Sequence, residues 1–237
     1  MKISIAIPTW ESYGRGVEFV NDLFRTIEIQ TFKDFEVCIS DHSLNDDVMN
    51  EVKRFENKFK IVYEKNSKDR GNGPSNTNKA ISMCSGDIIK VMFQDDFFYD
   101  DEALEKIYNE LEFSDKFWLV NGSNHTKNNG NSFYWELYPQ WNSDIINGKN
   151  TISSPSVLSA KKELFDQIKF DESLIMMMDC EFYFHAKKKF GDPIYYNDIL
   201  VSNRVHSEQI SSQYNESLNS GDKLKSEVRY CIGKHSK

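Results

Sequence analysis

Two adjacent carboxylates, Asp95 and Asp96, follow an apolar run in the segment GDIIKVMFQDDFFYDD. The run from Ile88 to Phe93 is typical of a buried strand, so the acidic pair falls where that strand should end. Mg²⁺ and Mn²⁺ bind a few protein carboxylates and complete their shells with phosphate oxygens and water. The pair therefore predicts a site for a metal and a diphosphate ligand, with a solvated turn as the alternative.

Polar residues also follow the ends of two earlier predicted strands. Pro8, Thr9 and Glu11 come after ISIAI, and Asp41 comes after FEVCIS. In an open parallel sheet, ligands bind at the carboxyl ends of the strands, near the switch in strand order. Asp41 alone would equally suit a helix cap. Three polar groups meeting at one edge favour a binding site.

The elements that must position these residues alternate regularly as far as residue 123. The predicted strands are ISIAI, FEVCIS, FKIVYEK, GDIIKVMF and KFWLVNGS, separated by amphipathic helices. This alternation indicates βαβ units and an α/β fold with a mostly parallel central sheet flanked by helices. Residues 124–160 are irregular in pattern, and SAKKELFDQI and CEFYFHAKKKFG then predict helices before the strand PIYYNDILVSNRVH.

Composition limits the class of protein. The chain has 237 residues, 39% hydrophobic and 14% aromatic, which is enough for a substantial core. Its net charge of −8 disfavours nucleic acid as a partner. It has no apolar run near the length of a membrane span and no typical secretion signal, and its four cysteines are scattered. We expect a reduced, cytoplasmic protein with at most peripheral membrane contact.

The glycine-containing loop RGNGPSNTN lacks both the P-loop ending and the dinucleotide GxGxxG pattern. Simple nucleotide hydrolysis and hydride transfer are therefore disfavoured. A nucleotidyltransferase remains an alternative, although PTWESYGRG only faintly resembles its glycine-rich loop. A catalytically inactive nucleotide-sugar-binding module is a second alternative.

Six segments, in order along the chain, resemble motifs of the family 2 glycosyltransferases, which have the GT-A (Rossmann-like) fold. They are ISIAIPTW, ISDHSLND, NGPSNTNKAI, GDIIKVMFQDDFFYDDEAL, MMMDCEFYFHAKKKFG and VSNRVHSEQIS. The resemblance covers about residues 3 to 212. It implies an inverting transfer of a sugar from a nucleotide-diphosphate sugar, with UDP-sugars favoured, to a hydroxyl of a glycan or lipid-linked acceptor.

The resemblance also implies roles for individual residues. The nucleotide-sugar site would contain Pro8, Thr9, Glu11, Asp41, Asn78 and Asp95. Asp96 and His206 would hold the divalent metal, Mn²⁺ or Mg²⁺. Asp179 would be the general base that deprotonates the acceptor hydroxyl. Asp179 also suits a helix N-cap, and a lone histidine such as His206 is commonly a packed or surface residue.

The chain departs from the family pattern at four positions: Gln94, Thr77, Met178 and His185. Gln94 stands at the first position of the DxD-type triplet, and Thr77 replaces an arginine whose phosphate contact Arg70 or Lys68 would have to supply. These departures leave the donor sugar and the metal dependence open. In the irregular middle, Trp135, Tyr138 and Trp141 form either an acceptor platform or part of the core.

We predict one domain over residues 1–212. Residues 1–123 would form its nucleotide-binding half and residues 124–212 its irregular, acceptor-binding half. Residues 213–237 are polar and are predicted to form a helical tail. The sequence leaves the oligomeric state open.

Overall fold

The computed structural model describes residues 2–207, 209 and 220–236. The strands are β1 (Ile3–Thr9), β2 (Phe35–Asp41), β3 (Lys60–Lys65), β4 (Ile88–Val91), β5 (Phe97–Phe98), β6 (Trp118–Thr126), β7 (Tyr134–Leu137), β8 (Leu158–Lys161) and β9 (Ile194–Arg204). The helices are α1 (Gly16–Glu28), α2 (Asp47–Lys53), α3 (Gly73–Ser82), α4 (Ala103–Glu112), α5 (Lys162–Gln167), α6 (Met178–Phe190) and α7 (Ser220–His235). None of these described helices is long and apolar enough to cross a membrane.

The described strands form one nine-stranded sheet in the order β3-β2-β1-β4-β8-β6-β9-β5, with β7 paired to β6. The strands β3, β2, β1 and β4 are mutually parallel, and Thr9 at the end of β1 lies in register with Asp41 at the end of β2. The chain passes from β1 outward to β3 and then returns to β4 on the other side of β1. The switch in strand order, where α/β sheets bind ligands, therefore lies between β1 and β4.

The second half of the sheet is mixed, which corrects part of the prediction. The segment SAKKELFDQI is helical only from Lys162 onward, and its first residues belong to β8. β8 lies antiparallel between β4 and β6, with Ala160 opposite both Ile89 and Trp118. The four residues Leu-Ser-Ala-Lys are too few for their alternation of apolar and polar side chains to predict a strand against the helix propensity of the segment. Their strand conformation therefore depends on the neighbouring strands.

Apolar side chains alternate between the two faces of the sheet. Ile3, Ile5 and Ile7 of β1 face α1, α2 and α4, whereas Ala6 faces the core formed with α3, α5, α6 and α7. This period of two is expected for a strand buried on both faces. The three-layer arrangement leaves the carboxyl ends of the strands as the edge available for a site.

Helix α3 begins three residues earlier than the predicted NTNKAISMC. The side chain of Asn72 accepts a hydrogen bond from the Ser75 N–H at 2.9 Å, and Pro74 lies in the first turn. Asparagine at the N-cap and proline at the start of a helix are both favoured. This cap brings the first turn of α3 to the carboxyl edge of β1.

Candidate functional site

The loop after β1 is tied to the loops around it at the switch point. The Trp10 N–H donates to Gln94 Oε1 at 2.9 Å, and the Thr9 carbonyl accepts bonds from Asn76 Nδ2 at 3.1 Å and the His42 N–H at 2.9 Å. Thr9 Oγ1 is buried and has no hydrogen-bond partner among the described residues. Because a buried hydroxyl normally has a partner, Thr9 Oγ1 is an exception at this strand end.

Asp41 shapes the loop after β2. Its Oδ1 accepts bonds from the N–H and hydroxyl of Ser43 at 2.8 and 2.6 Å, and its Oδ2 accepts one from the Tyr63 hydroxyl at 2.5 Å. Burial, and then this bond to Asp41, raise the pKa of Tyr63, so the tyrosine remains a donor. Arg70 donates to the Ser43 carbonyl at 2.6 Å. Asp41 therefore holds the loop after β2, to which Arg70 donates from the loop between β3 and α3.

A buried polar network lies beside Thr9. Ser40 Oγ donates to Asn76 Oδ1 at 2.6 Å, and Asn66 Nδ2 lies 3.2 Å from Ser40 Oγ and 3.0 Å from His42 Nε2. Burial lowers the pKa of His42, which favours the neutral imidazole. Sequence reasoning missed Asn76, His42 and Asn66, although the first two stand in segments that carry the family resemblance.

Asn78 faces away from this network. Its Nδ2 donates to the Phe170 carbonyl at 2.9 Å and to Glu172 Oε1 at 3.0 Å, and its Oδ1 accepts from the Phe170 N–H at 3.0 Å. Its amide thus joins α3 to the segment that precedes α6. The structure does not bring Asn78 together with Thr9 and Asp41, and Asn76 occupies the corresponding place on the facing side of α3.

The two carboxylates of the acidic pair have different environments. Asp96 is buried, and three donors converge on its carboxylate: the Arg204 N–H at 3.1 Å, Asn203 Nδ2 at 2.9 Å and Ser154 Oγ at 3.3 Å. Two distant parts of the chain, Ser154 and the end of β9 at residues 203 and 204, are therefore held to the loop after β4 by one carboxylate. This is the geometry of a structural clamp.

A buried lysine lies beneath this clamp. Lys90 donates to the Ser156 carbonyl at 2.5 Å and to Asn121 Oδ1 at 3.2 Å. Burial lowers the pKa of Lys90 to about 7, although the charge of Asp96 opposes that change. Burial, followed by the charge of Asp95, raises the pKa of Asp96 to about 7. Lys90 and Asp96, a base and an acid, are thus both buried away from water near the loop that carries the acidic pair.

Asp95 is partly exposed and faces His206. Its Oδ2 lies 3.1 Å from His206 Nε2, and its backbone carbonyl accepts a bond from Arg204 Nε at 3.0 Å. Neighbouring ligands of an octahedral ion with bonds of about 2.1 Å lie about 3.0 Å apart, so this pair fits two adjacent positions. The described residues contain no cluster of three or more His, Cys, Asp or Glu side chains for a metal. The donor set therefore fits an ion that takes its other ligands from a bound diphosphate and water.

Arg204 is a buried cation that fixes this loop. Its Nη2 donates to Asp22 at 2.9 Å, its Nη1 donates to Asn129 at 2.6 Å, and its guanidinium lies 4.8 Å from the Phe19 ring centre. It connects α1, the end of β9 and the Asp95 backbone. Sequence reasoning assigned Arg204 no role, although it precedes His206 in the segment VSNRVHSEQIS.

Asp179 lies in the first turn of α6, one residue beyond its start. Its Oδ2 accepts a bond from Asn150 Nδ2 at 2.8 Å, and its Oδ1 accepts one from the Cys180 N–H at 2.7 Å. The N-cap position belongs to Met177, which makes no side-chain cap bond. Burial raises the pKa of Asp179 above its ordinary value. The carboxyl is thus held at a helix start with enhanced basicity.

One short segment, residues 150–154, connects Asp179 to the clamp at Asp96. Asn150 donates to both Asp179 and the Ser153 carbonyl, the latter at 3.0 Å, and Ser154 Oγ reaches Asp96. Ser153 has a φ of +121°, a strained backbone for a residue other than glycine. Strain of this kind persists where surrounding contacts fix the backbone and is common at functional sites. The irregular composition of this stretch gave no signal of this role.

The sequence profile described as glycosyl transferase family 2 matches residues 4–181. The chain belongs to this family. An uncharacterised glycosyltransferase of Methanocaldococcus jannaschii is 26% identical over 191 residues, which cover 76% of this chain and 63% of the relative. The predicted family is thus confirmed, and membership places the chain among the glycosyltransferases.

Solved structures identify the same fold. Residues 1–349 of TarS of S. aureus, in complex with UDP-GlcNAc, align with a TM-score of 0.76 at 18% identity over 98% of this chain and 66% of that chain. The mannosyltransferase PcManGT of Pyrobaculum calidifontis, in complex with GDP-Man and Mn²⁺, gives 0.70 at 12% identity over 97% of this chain and 64% of that one. The predicted GT-A fold is confirmed. The chain spans slightly less than two thirds of each of these relatives.

The aromatic residues of this family 2 chain divide into two groups. Trp135, on β7, is 70% exposed, and its ring stacks on His125 with centroids 5.5 Å apart; Tyr138 is 44% exposed. Trp141 is instead partly buried: it packs against Phe184 with centroids 6.3 Å apart, at the edge of the core beside α6. Only the first group faces solvent, beside the carboxyl end of β6.

Proposed function

We propose that the chain is an inverting glycosyltransferase that moves a sugar from a nucleotide-diphosphate sugar, with UDP-sugars favoured, to a hydroxyl of a glycan or lipid-linked acceptor. One observation carries the proposal: in a family 2 fold, the Asn150–Ser154 segment contacts Asp179 through Asn150 and Asp96 through Ser154, and Asp96 is adjacent to Asp95, which faces His206. This arrangement separates a diphosphate-binding side from a proton-accepting side.

The donor nucleotide would bind between the ends of β1 and β2. Thr9 Oγ1 is the buried polar atom left for it, and Pro8 and Glu11 border the same strand end. Asp41 fixes the loop after β2 that would form the pocket wall, and Arg70, on the loop between β3 and α3, donates to the Ser43 carbonyl of that loop. The structural likeness to TarS bound to UDP-GlcNAc supports a uridine donor.

We propose that Asp95 and His206 would hold a Mn²⁺ or Mg²⁺ ion, with Asp96 as the clamp that holds their loop. When bound, the ion would stabilise the negative charge of the departing nucleotide diphosphate. The protein's own contribution is to keep Asp95 facing His206, through Arg204 on the Asp95 carbonyl and Asp96 on the Arg204 N–H. This assigns Asp95, rather than the buried Asp96, to the ion.

Asp179 would act as the general base. Its raised pKa makes the carboxylate a better proton acceptor, while Asn150 and the Cys180 N–H fix its orientation. It would remove the proton of the acceptor hydroxyl as that oxygen attacks the anomeric carbon and the bond to the diphosphate breaks. General base catalysis typically contributes about 10²- to 10⁴-fold.

The acceptor would approach along β7. The exposed Trp135 ring lies on His125, and His125 is paired in the sheet with Asn203, a donor to Asp96. Exposed rings at the rim of a site can stack on the C–H faces of a sugar, and their polar edges remain hydrated. A glycan, free or lipid-linked, is therefore the proposed acceptor class; nucleic acid is not.

A melting-temperature panel tests the donor site. The protein is heated with UDP, GDP, dTDP or CDP in Mn²⁺, in Mg²⁺ or in EDTA, and release of nucleotide diphosphate from the matching sugar donor is measured in parallel. A metal-dependent shift with one nucleotide, together with release of that nucleotide, is the expected result. A shift without release would indicate an inactive binding module, and no shift with any nucleotide would overturn the proposal.

A further inference from the structure

The C-terminal helix α7 contributes a buried carboxylate to the start of α6. Glu227 is 4% exposed, and its two oxygens accept bonds from the Ile175 N–H at 3.1 Å, the Met176 N–H at 2.8 Å and the Met177 N–H at 3.0 Å. These three amides immediately precede α6. The family match ends at residue 181, so Glu227 lies outside it.

The N-terminus of a helix leaves backbone N–H groups without intrahelical partners, and a Ser, Thr, Asp or Asn side chain at the N-cap usually satisfies one of them. Helix α6 has Met177 at that position and no side-chain cap bond. A carboxylate from another helix binds the amides leading into α6 instead. Asp179 lies two residues beyond the last of them, so its placement depends on where this segment is held.

Helix α7 also packs beside the segment that leads to Asn150, the side chain that donates to Asp179. A side chain at Gly148 would meet Met177 Sδ at 3.4 Å, Val228 Cγ2 at 3.8 Å and Leu224 Cδ1 at 3.9 Å. Gly148 is two residues before Asn150, whose amide donates to Asp179. Helix α7 therefore packs against both backbone segments that hold the Asp179 carboxylate.

We propose that Glu227 is a positioning residue for the reaction and acts through Asp179. It does not touch the reacting atoms; it fixes the segment Ile175–Met177 so that Asp179 keeps its orientation against Asn150. The inference rests on the proposed role of Asp179 as general base. It also makes α7 part of the acceptor half of the site.

The far end of α7 offers a matched control. Lys234 lies 2.7 Å from Asp171 and 2.8 Å from Glu181, and it anchors the helix without contact to the amides before α6. Lys234→Met should therefore weaken the docking of α7 while leaving the Glu227 bonds in place. Glu227→Gln keeps the size of the side chain and one acceptor oxygen, but it removes the negative charge and replaces the other oxygen by an NH2 group, which cannot accept from these amides. Glu227→Asp keeps the charge on a shorter stem.

The first measurement is made on the full chain without substrate. The pKa of the Asp179 carboxyl is followed by carbon NMR, with its signal assigned from Asp179→Asn, and exchange of the Cys180 amide is followed in parallel. In Glu227→Gln, we expect the pKa of Asp179 to fall toward the ordinary aspartate value and the amide to exchange at least about tenfold faster. Glu227→Asp should give values between those of wild type and Glu227→Gln. Lys234→Met should match wild type in both readouts, even if its melting temperature is as low as that of Glu227→Gln.

The second measurement is turnover of the sugar donor identified by the nucleotide panel. Misplacement of a catalytic group by about 1 Å can cost about 10²-fold, so Glu227→Gln should lower kcat by about 10- to 100-fold with an unchanged donor KM. Equal effects of Glu227→Gln and Lys234→Met, or an unchanged Asp179 pKa and Cys180 exchange rate in Glu227→Gln, would overturn the inference. Absence of turnover in wild type would contradict the proposed function, and the two substrate-free readouts would still decide the positioning role.

Discussion

Substitution of Asp95 and substitution of Asp96 should affect different properties of the protein. Asp96→Ala removes the acceptor of three converging donors, Ser154 Oγ, Asn203 Nδ2 and the Arg204 N–H. Asp95→Ala removes one side-chain contact, to His206, and keeps the backbone carbonyl that binds Arg204. The first change should therefore reduce stability, and the second should reduce metal and nucleotide binding.

The magnitudes follow from the number of donors left without a partner. A buried donor without an acceptor costs about 1–3 kcal/mol. Asn203 Nδ2 already lies 2.6 Å from Ser154 Oγ, so these two groups partly compensate each other. The expected loss for Asp96→Ala is about 3–5 kcal/mol, which for a chain of this size lowers the melting temperature by about 6–20 °C. Loss of the partly exposed Asp95–His206 contact costs about 0–1 kcal/mol.

Thermal melting with and without the nucleotide and Mn²⁺ measures both effects. A nucleotide at 100 times its Kd stabilises wild type by about 2.7 kcal/mol, or about 5–11 °C. Asp95→Ala should melt near wild type and lose the part of this shift that EDTA abolishes. Asp96→Asn, which keeps the size of the side chain and one acceptor oxygen, should lose less stability than Asp96→Ala.

The division of roles would be refuted by an Asp96→Ala protein that melts like wild type but no longer responds to the metal. It would equally be refuted by an Asp95→Ala protein whose metal-dependent shift is intact. Either result would return the ion to Asp96, as the sequence resemblance implied.

Three further predictions concern residues outside this pair. Thr9→Val removes the unpartnered hydroxyl and keeps the shape of the side chain, so the free protein should keep its stability while nucleotide affinity falls about tenfold by calorimetry; a loss of stability instead would show that the hydroxyl is structural. Asp179→Asn should lower turnover by about 10²- to 10⁴-fold in a coupled nucleotide-release assay with unchanged donor binding, and full activity would exclude it as the base. Burial opposes ionisation of Glu36, but bonds from Lys60 and Ser85 outweigh it and hold its pKa at about 2, against 4.5 for an ordinary glutamate. Because the folded pKa is depressed, this stabilisation is present above about pH 4.5 and is lost as the pH falls toward 2, so the difference in melting temperature between wild type and Glu36→Gln should shrink over that range; a difference independent of pH would contradict it.

The local sequence pattern was sufficient to predict the strands in the parallel half of the sheet. Strands such as ISIAI and FEVCIS are apolar on both faces, and amphipathic helices separate them, so both their type and their order follow from the sequence. β8 could not be predicted from the sequence in this way, because a four-residue strand gains its stability from its neighbours β4 and β6. Strands β5 and β7 were missed for the same reason: their conformation depends on pairing with β9 and β6.

The candidate site shows a similar limit. Residue type and position indicated Asp41 and the acidic pair, because acids at strand ends leave a signal along the chain, and the family resemblance implied Asp179. They did not indicate which member of the acidic pair is buried, since that depends on Asn203 and other residues more than 50 positions away. Glu227 gave no signal at all, because its partners are backbone amides.

The clamp at Asp96 has a consequence for the order in which the molecule folds. The residue is separated from its partner Arg204 by 108 positions, and from Ser154 by 58. Closure of such long loops must precede the contacts that stabilise them, and contacts of high sequence separation form slowly. During synthesis, β1 to β4 have emerged long before β9, so the parallel half of the sheet can collapse early around its local βαβ units. The loop that carries the acidic pair becomes rigid only when β9 joins the sheet, which makes assembly of the proposed metal site a late step of folding.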